Sequence, residues 1–505
     1  MRDRDLRDLL LAPRLGPQEV EARLAPFGLR SPIRADENLQ ALAEDPLTRR
    51  GLADILPDLL DCLARSADPD SALDRIARFL RSAGSVAPFV SHLKSAPRAI
   101  EILATTLGAS SFLTDVLVRN PHWFHWVSDP EVLGAPRSAA AIGAELDGAL
   151  GPLGSEDRRL DALRIAKRRE ILQIGVRDLL RLASVPETLG ALSDLAGALL
   201  ERACREAARA VGHGAERGFA VLGLGKLGGG ELNFSSDVDL VFVSDDRKVP
   251  EALHIALARR LTEALASLTA EGYVYRVDLR LRPEGRVGHV VPSLEACEAY
   301  YRTRGATWER LALLKARPVA GDLEVGRRFL AAVEPFVYAR PFDAAALEDV
   351  RDMKGRVDRK VALRDESLRH VKLGLGGIRE VELAVQVLQL RFGSERPGLR
   401  ERNTRRALGR LRRARLLSAS EHRGLLTAYL FLRDVENKLQ MVSDVQTHTL
   451  PADPEELRLC ARRLGYGADG RADPGEALLS DYRRHTEAVH RIFGTVCEAR
   501  RLGLA

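Results

Sequence analysis

Between Val221 and Val243 the chain reads Val-Leu-Gly-Leu-Gly-Lys-Leu-Gly-Gly-Gly-Glu-Leu-Asn-Phe-Ser-Ser-Asp-Val-Asp-Leu-Val-Phe-Val, a glycine-rich turn joined to a carboxylate pair at the start of a strand. Asp237 and Asp239 alternate along an extended segment, so their side chains leave the same face. Val238 and the run Leu240, Val241, Phe242 and Val243 then anchor that strand in a core. Two carboxylates a few ångströms apart raise each other's pKa unless a cation lies between them. A hard ion such as Mg²⁺, which takes oxygen ligands and shares them with substrate phosphates, answers that cost. Upstream, Gly225, Gly229 and Gly230 remove Cβ atoms where backbone N–H groups approach a phosphate, and Lys226 adds charge. Ser235 and Ser236 either donate to phosphate or cap the turn. The combination reads as a metal-dependent nucleotide-handling site.

A third acid follows. Residues 252–269 carry Leu257, Leu261, Leu265 and Leu268 on one helical stripe. The stretch Tyr273 to Pro283 then alternates like a half-buried strand, with Asp278 on one face beside Arg276, Arg280 and Arg282. By itself this is a surface ion-pair ladder of little worth. Beside Asp237 and Asp239 it reads as a third metal ligand with guanidinium groups, Arg280 and Arg282 among them, placed for phosphate oxygens. Lys315 and Arg317 follow Trp308-Glu-Arg310 and either meet phosphate or pair with nearby acids. Gly374, Gly376 and Gly377 precede a helical pattern beginning near Ile378, so Lys372 and Arg379 either bind an anion at a helix start or simply belong to a glycine-rich turn.

The segments Gly223 to Asp239, Arg276 to Pro283, Trp308 to Arg310, Leu314 to Arg317 and Lys372 to Glu382 resemble, in order and spacing, the glutamine synthetase adenylyltransferase family of the polymerase-β-type nucleotidyltransferase superfamily. The resemblance implies an α+β, predominantly helical protein: a polymerase-β-like domain with a mixed sheet, an N-terminal helical region before it and a C-terminal helical bundle after it. It implies Asp237, Asp239 and Asp278 as catalytic residues holding two Mg²⁺ ions. It also implies Gly225, Lys226, Gly229, Gly230, Ser236, Arg280, Arg282, Lys315, Lys372 and Arg379 around nucleotide and phosphate.

The family's usual protein carries two catalytic halves in tandem, one removing AMP from glutamine synthetase and one adding it. This sequence holds a single Asp-x-Asp block, and its wording Asn233-Phe-Ser-Ser-Asp237 resembles the AMP-removing half. The implied reaction is phosphorolysis of adenylyl-tyrosine to release ADP, with glutamine synthetase, ADP or ATP, and phosphate as partners. The PII signalling protein and a separate second half are further candidate partners. The alternatives are ATP-dependent adenylylation of glutamine synthetase and a non-catalytic module that binds glutamine synthetase or PII.

At 505 residues the chain exceeds one ordinary core. The expected division is 1–155 helical, 156–325 catalytic and 326–505 helical bundle. Helix breaks are expected at Pro69, Pro88, Pro97 and Pro121, a surface connection from Asp129 to Gly154, and a long charged helix from Arg158 to Leu182. Further helices are expected over 342–354 and 420–442. No apolar run is long enough to span a bilayer and no signal peptide opens the chain, which points to the cytoplasm. Five scattered cysteines and eleven histidines show no metal spacing, and the cysteines no disulfide framework; His122 and His125 read as interfacial. A net charge of +6 and the arginine-rich stretch 405–415 invite a nucleic-acid reading, but Leu408 and Leu411 form an apolar stripe and 71 acids balance the bases, so no nucleic acid is expected.

Overall fold

The computed structural model describes residues 2–12, 15–212, 214–245, 248–364, 366–467 and 472–504. It is an α+β structure, mostly helical, around one small mixed sheet. The strands are β1 (Phe219–Gly223), β2 (Val238–Ser244), β3 (Val277–Asp278) and β4 (Arg317–Gly321), in the order β3-β2-β1-β4. β1 pairs antiparallel with both β2 and β4, and β2 pairs parallel with β3.

Period-2 alternation makes this sheet a wall between two cores. Phe219 and Val221 of β1, with Val238, Leu240 and Phe242 of β2, enter one apolar cluster. Ala220, Leu222, Val241 and Val243 enter the other. The first cluster includes most of the N-terminal helices and the second the C-terminal ones. Each fully buried Phe or Leu in such a wall contributes roughly 1.5–3 kcal/mol, so both helical layers depend on the same few strand residues.

In the N-terminal layer, prolines begin helices. Pro46, Pro69 and Pro97 each occupy the first position of a helix, where a missing N–H costs nothing. Asp45 and Asp68 cap two of those starts by accepting backbone N–H bonds. Pro88 sits in the first turn of Ala87–Ser95, and Asn120 ends Ser111–Arg119 just before Pro121. His125 stacks on Phe89 at 5.0 Å inside this layer. The segment 129–154, expected as a loop, instead forms helices at Pro130–Gly134 and Ala139–Leu150. Its alanines favour helix, Ser138 caps the second helix, and Ile142, Leu146 and Leu150 bury one face at four-residue spacing.

Helix α1 (Glu156–Leu179) is the long charged helix, capped by Ser155. Many of its charges are buried and paired, as Arg159 is with Glu206 and Glu170 with Arg137. It packs on α2 (Val185–Val211), which opens with a Ser184/Glu187 capping box. After the one-turn helix α3 (Gly225–Gly229), α4 (Glu251–Ala266) lies along α2. The expected strand Tyr273 to Pro283 shrinks to Val277–Asp278. The reason is local: Arg282 donates to the carbonyls of Leu279, Arg286 and Gly288, folding this arm into turns instead of a ladder.

The C-terminal layer contains α5 (Ile378–Phe392), the arginine-rich helix α6 (Thr404–Arg413), α7 (Ala419–Gln440) and α8 (Pro474–Val496). The first expected bundle helix runs over Ala344–Ala362. α6 buries Leu408 and Leu411 and is capped by Asn403. α7 is capped by Ser418 with Glu421, two residues before the expected start at Ser420. All five cysteines are free and buried, and no helix among the described residues is long and apolar enough to cross a membrane.

One buried ion triad joins the layers. The Lys315 ammonium lies 3.1 Å from Glu231 and 2.6 Å from Glu382, and all three residues are buried. Burial opposes ionisation of Glu382, yet Lys315 outweighs it and holds the carboxyl at about 2. Lys315→Met leaves two buried carboxylates facing each other, so urea unfolding should show a loss of about 3–5 kcal/mol; a loss below about 1 kcal/mol would refute the triad's role.

Candidate active site

β1 ends at Gly223, and the chain turns at once through α3 back toward β2. The Leu224 N–H donates to the Asp239 carbonyl at 2.9 Å. Gly225 has φ +51, and a Cβ there would stand 2.4 Å from Asp239 Oδ2. Only glycine permits both the left-handed backbone and that approach. The turn thus leaves room first for the protein's own carboxylate. Gly229 lies against Glu231, whereas Gly230, at φ +68, closes the turn with open space beside it.

The three acids converge through strand pairing. Asp237 directly precedes β2, Asp239 is on it, and Asp239 stands in register with Asp278 on β3. Val238 between the acids is fully buried. Asp237 accepts from Arg276 Nε at 2.6 Å, and the same guanidinium donates to the Ser235 carbonyl at 2.8 Å and lies against the Tyr273 hydroxyl. Asp278 accepts from Arg280 Nε at 2.8 Å and from its backbone N–H at 2.8 Å. The Arg280 bonds hold the Asp278 carboxyl below its ordinary range.

Asp239 differs from both. Its side chain has no hydrogen bond or ion pair among the described residues. Burial pushes its pKa up to about 6, Asp278 and Asp237 add to the rise, and Lys372 and Lys226 oppose it. No group of three His, Cys, Asp or Glu side chains among the described residues is disposed to hold a metal ion. Two of the three carboxylates are instead closed by arginine. The donor set itself, an uncompensated carboxylate between two others, suits a hard cation.

The cations around Asp239 come from separate parts of the chain. Lys226, on α3, points to Glu436 of α7 at 2.8 Å. Burial pushes Lys226 down to about 7, against the pull of Glu436 and with help from Lys372 and Arg433. Burial also opposes ionisation of Glu436, but Lys226, His448 and Arg433 outweigh it and keep it well below the usual carboxylate range. His448 Nδ1 lies 2.9 Å from the same carboxylate. Lys372 is half-buried and in electrostatic reach of both Asp239 and Lys226.

Other expected residues lie elsewhere. Lys315 is consumed by the buried triad, so its ammonium serves the fold. Arg282 is occupied by three backbone carbonyls. Arg379 stands 3.8 Å from Glu382 Oε2. Ser236 Oγ accepts from the Asn233 N–H at 3.1 Å and so holds the turn. Arg276 reaches across to Asp237, one step before the Val238–Val277 pair.

Sequence reasoning missed α7's part in the site. Arg433, Glu436, Asn437 and Gln440 are all fully buried on that helix. Arg433 donates to Asn233 Oδ1 at 2.8 Å, Asn437 accepts from Asn233 Nδ2 at 2.6 Å, and Gln440 accepts from the Ser235 N–H at 3.2 Å. The signal was present: these four recur at spacings of three, one and three, a polar stripe of helical period inside an otherwise apolar helix. Lys167 on α1 was also missed. It is buried between the rings of Tyr273 and Tyr275, 4.7 and 4.8 Å from their centroids, and burial lowers it to about 8.

Residues 100–332 match the family model described as glutamate-ammonia ligase adenylyltransferase, and residues 351–497 match that of GlnD PII-uridylyltransferase. Curated relatives named bifunctional glutamine synthetase adenylyltransferase/adenylyl-removing enzyme align over most of this chain. The one from Thioalkalivibrio sulfidiphilus is 38% identical over 416 residues, covering 79% of this chain and 42% of the relative. The one from Streptomyces coelicolor is 36% identical over 464 residues, covering 89% and 45%; that from Rhizobium meliloti is 36% identical over 428 residues, covering 80% and 43%. The chain therefore spans somewhat less than half the length of these relatives. These matches make the chain a relative of the glutamate-ammonia ligase adenylyltransferase family, resembling one half of its bifunctional members.

Proposed function

We propose that this chain removes AMP from an adenylylated tyrosine of glutamine synthetase by phosphorolysis. The observation that carries the proposal is Asp239: a half-buried, unpaired carboxylate beside Asp278 and Asp237, with Lys226 and Lys372 opposite. The resemblance of Asn233–Asp237 to the AMP-removing half supports this direction over adenylylation. In the reaction a phosphate oxygen attacks the adenylyl phosphorus, the bond from phosphorus to the tyrosine oxygen breaks, and the phenolate takes a proton. The products are ADP and unmodified tyrosine.

Asp237, Asp239 and Asp278 would hold divalent cations, Mg²⁺ by preference, probed in the assay below. Such ions, when bound, supply charge to the attacking and leaving oxygens. Arg280 yields readily, since it is 63% exposed and an exposed ion pair of this kind is worth at most about 1 kcal/mol. Once displaced, both Arg276 and Arg280 can meet phosphate oxygens bidentately. Lys226, held by Glu436, and Lys372 place further positive charge opposite the acids. We further propose PII as a regulatory partner acting through residues 351–497; calorimetric titration of the chain with PII checks this, and absence of heat at micromolar concentration would sink it.

The activity is tested by incubating the chain with AMP-modified glutamine synthetase, Mg²⁺ and phosphate, and following ADP. ADP release that falls by at least about a hundredfold in Asp239→Asn is expected. Label transfer from ATP to unmodified synthetase, without ADP release, would reverse the assigned direction.

Asp239 also fixes a pH signature. Its folded pKa of about 6 lies above the ordinary value of about 3.9, so the folded chain binds this proton more tightly than the unfolded one. Its contribution to stability is therefore present at low pH and is lost as pH rises from about 4 through about 6. With chelator present, Asp239→Asn should be about 3 kcal/mol more stable than the parent at pH 7.5 and no more stable below pH 4. Equal stabilities at pH 7.5 would show that Asp239 is not uncompensated.

A further inference from the structure

We propose that a second pocket, between the 366–377 segment and α8, binds a small organic anion with an apolar body. The cavity measures about 550 Å³, within the usual range for small-molecule sites. Its apolar lining comes from Leu368, Leu375 and Leu479, with the ring of Tyr482 beside them. Leu368 is 74% exposed and Leu375 40%, so two leucines stand at the surface where a ligand would cover them.

The polar groups define the ligand's chemistry. Tyr482 is 2% exposed, yet its hydroxyl has no hydrogen-bond partner among the described residues. A buried hydroxyl without a partner costs about 1–3 kcal/mol; solvent does not reach this one, so a bound acceptor relieves the cost by drawing the ring a little toward the cavity. Arg369 and Arg483 also line the cavity, and neither side chain has an ion pair or hydrogen bond among the described residues. His490, likewise in the lining, is 3.1 Å from Glu380. Among the described residues, Glu487 is the only acid in the lining. Free guanidinium groups over an apolar wall with a hydroxyl beside it fit an anionic head on an apolar body. The concavity favours a small molecule over a protein surface.

The wall facing α8 is the segment that carries Lys372. Gly376 has φ +68 and packs on the Thr486 carbonyl so closely that a Cβ would lie 1.8 Å from that oxygen. Leu375 N–H donates to the Ser367 carbonyl at 3.2 Å and Gly374 N–H to the His370 carbonyl at 2.8 Å, so the segment is compact. A ligand against Leu368 and Leu375 therefore presses on the same few residues that present Lys372 to Asp239. That regulatory consequence rests on the proposed phosphorolysis, whereas binding itself does not.

The probe is 8-anilinonaphthalene-1-sulfonate, an aromatic body with one sulfonate, titrated into the whole chain and read by fluorescence without glutamine synthetase. The expected result is one saturable site. Arg483→Ala, which alters an exposed side chain, should weaken it roughly tenfold, Tyr482→Phe roughly threefold to tenfold, and Leu479→Trp should fill the cavity and remove it. Dissociation constants within twofold of the parent in both Arg483→Ala and Tyr482→Phe, or a titration that never saturates, would overturn the proposal whether or not the chain releases ADP.

Discussion

The structure depends on a lysine that is almost out of water. Lys315 sits two residues before β4, Glu231 just past the glycine turn, and Glu382 near the start of α5. Their ion triad therefore pins the sheet, the turn that leads to the acids, and the start of the C-terminal layer at one point. Glu231 does more: it accepts from the Thr404 N–H at 2.9 Å and from its hydroxyl at 3.0 Å, which also fixes the start of α6. An isolated buried charge would cost several kcal/mol. Here every charge has an opposite neighbour, so the arrangement is stable only when all three chain segments are in place, and it selects that assembly over looser ones.

A second polar seam completes the assembly. α7 presents Arg433, Glu436, Asn437 and Gln440 to the turn before Asp237, and Lys438 pairs with Asp178 of α1. Just past α7, the carbonyls of Met441 and Val442 accept from Ser110 Oγ and the Phe112 N–H. One helix and its following turn thus touch the N-terminal layer, the long charged helix and the turn that leads to the three acids. Because the bonds this seam does make are directional and buried, it sets the position of Asp237 and Asp239 more tightly than apolar contact alone would.

Much of this was legible. The Asp-x-Asp on β2, the long charged helix, and the C-terminal helices followed from period and caps, because those signals are local. What failed was context. Alanine and glycine between 129 and 154 suggested a loop, but a neighbouring helix offered a surface for Ile142 and Leu146. Alternation from Tyr273 to Pro283 suggested a strand, but only two residues found a partner strand, and Arg282 bound carbonyls instead. Lys315 looked ready for phosphate because a sequence does not show that Glu231 and Glu382, 84 and 67 residues away, arrive on either side of it. Glu436 and His448 were hidden for the same reason.

The arginines on Asp237 and Asp278 bear on the chain's life before it meets any substrate. With Asp239 alone carrying unrelieved charge, most of the electrostatic strain of a three-carboxylate cluster is discharged internally by side chains that swing on long, flexible stems. The site carries its own counterions. A chain newly made can therefore keep its sheet closed, and under the proposed metal binding the arrival of a cation would be an exchange of partners instead of the filling of a hole.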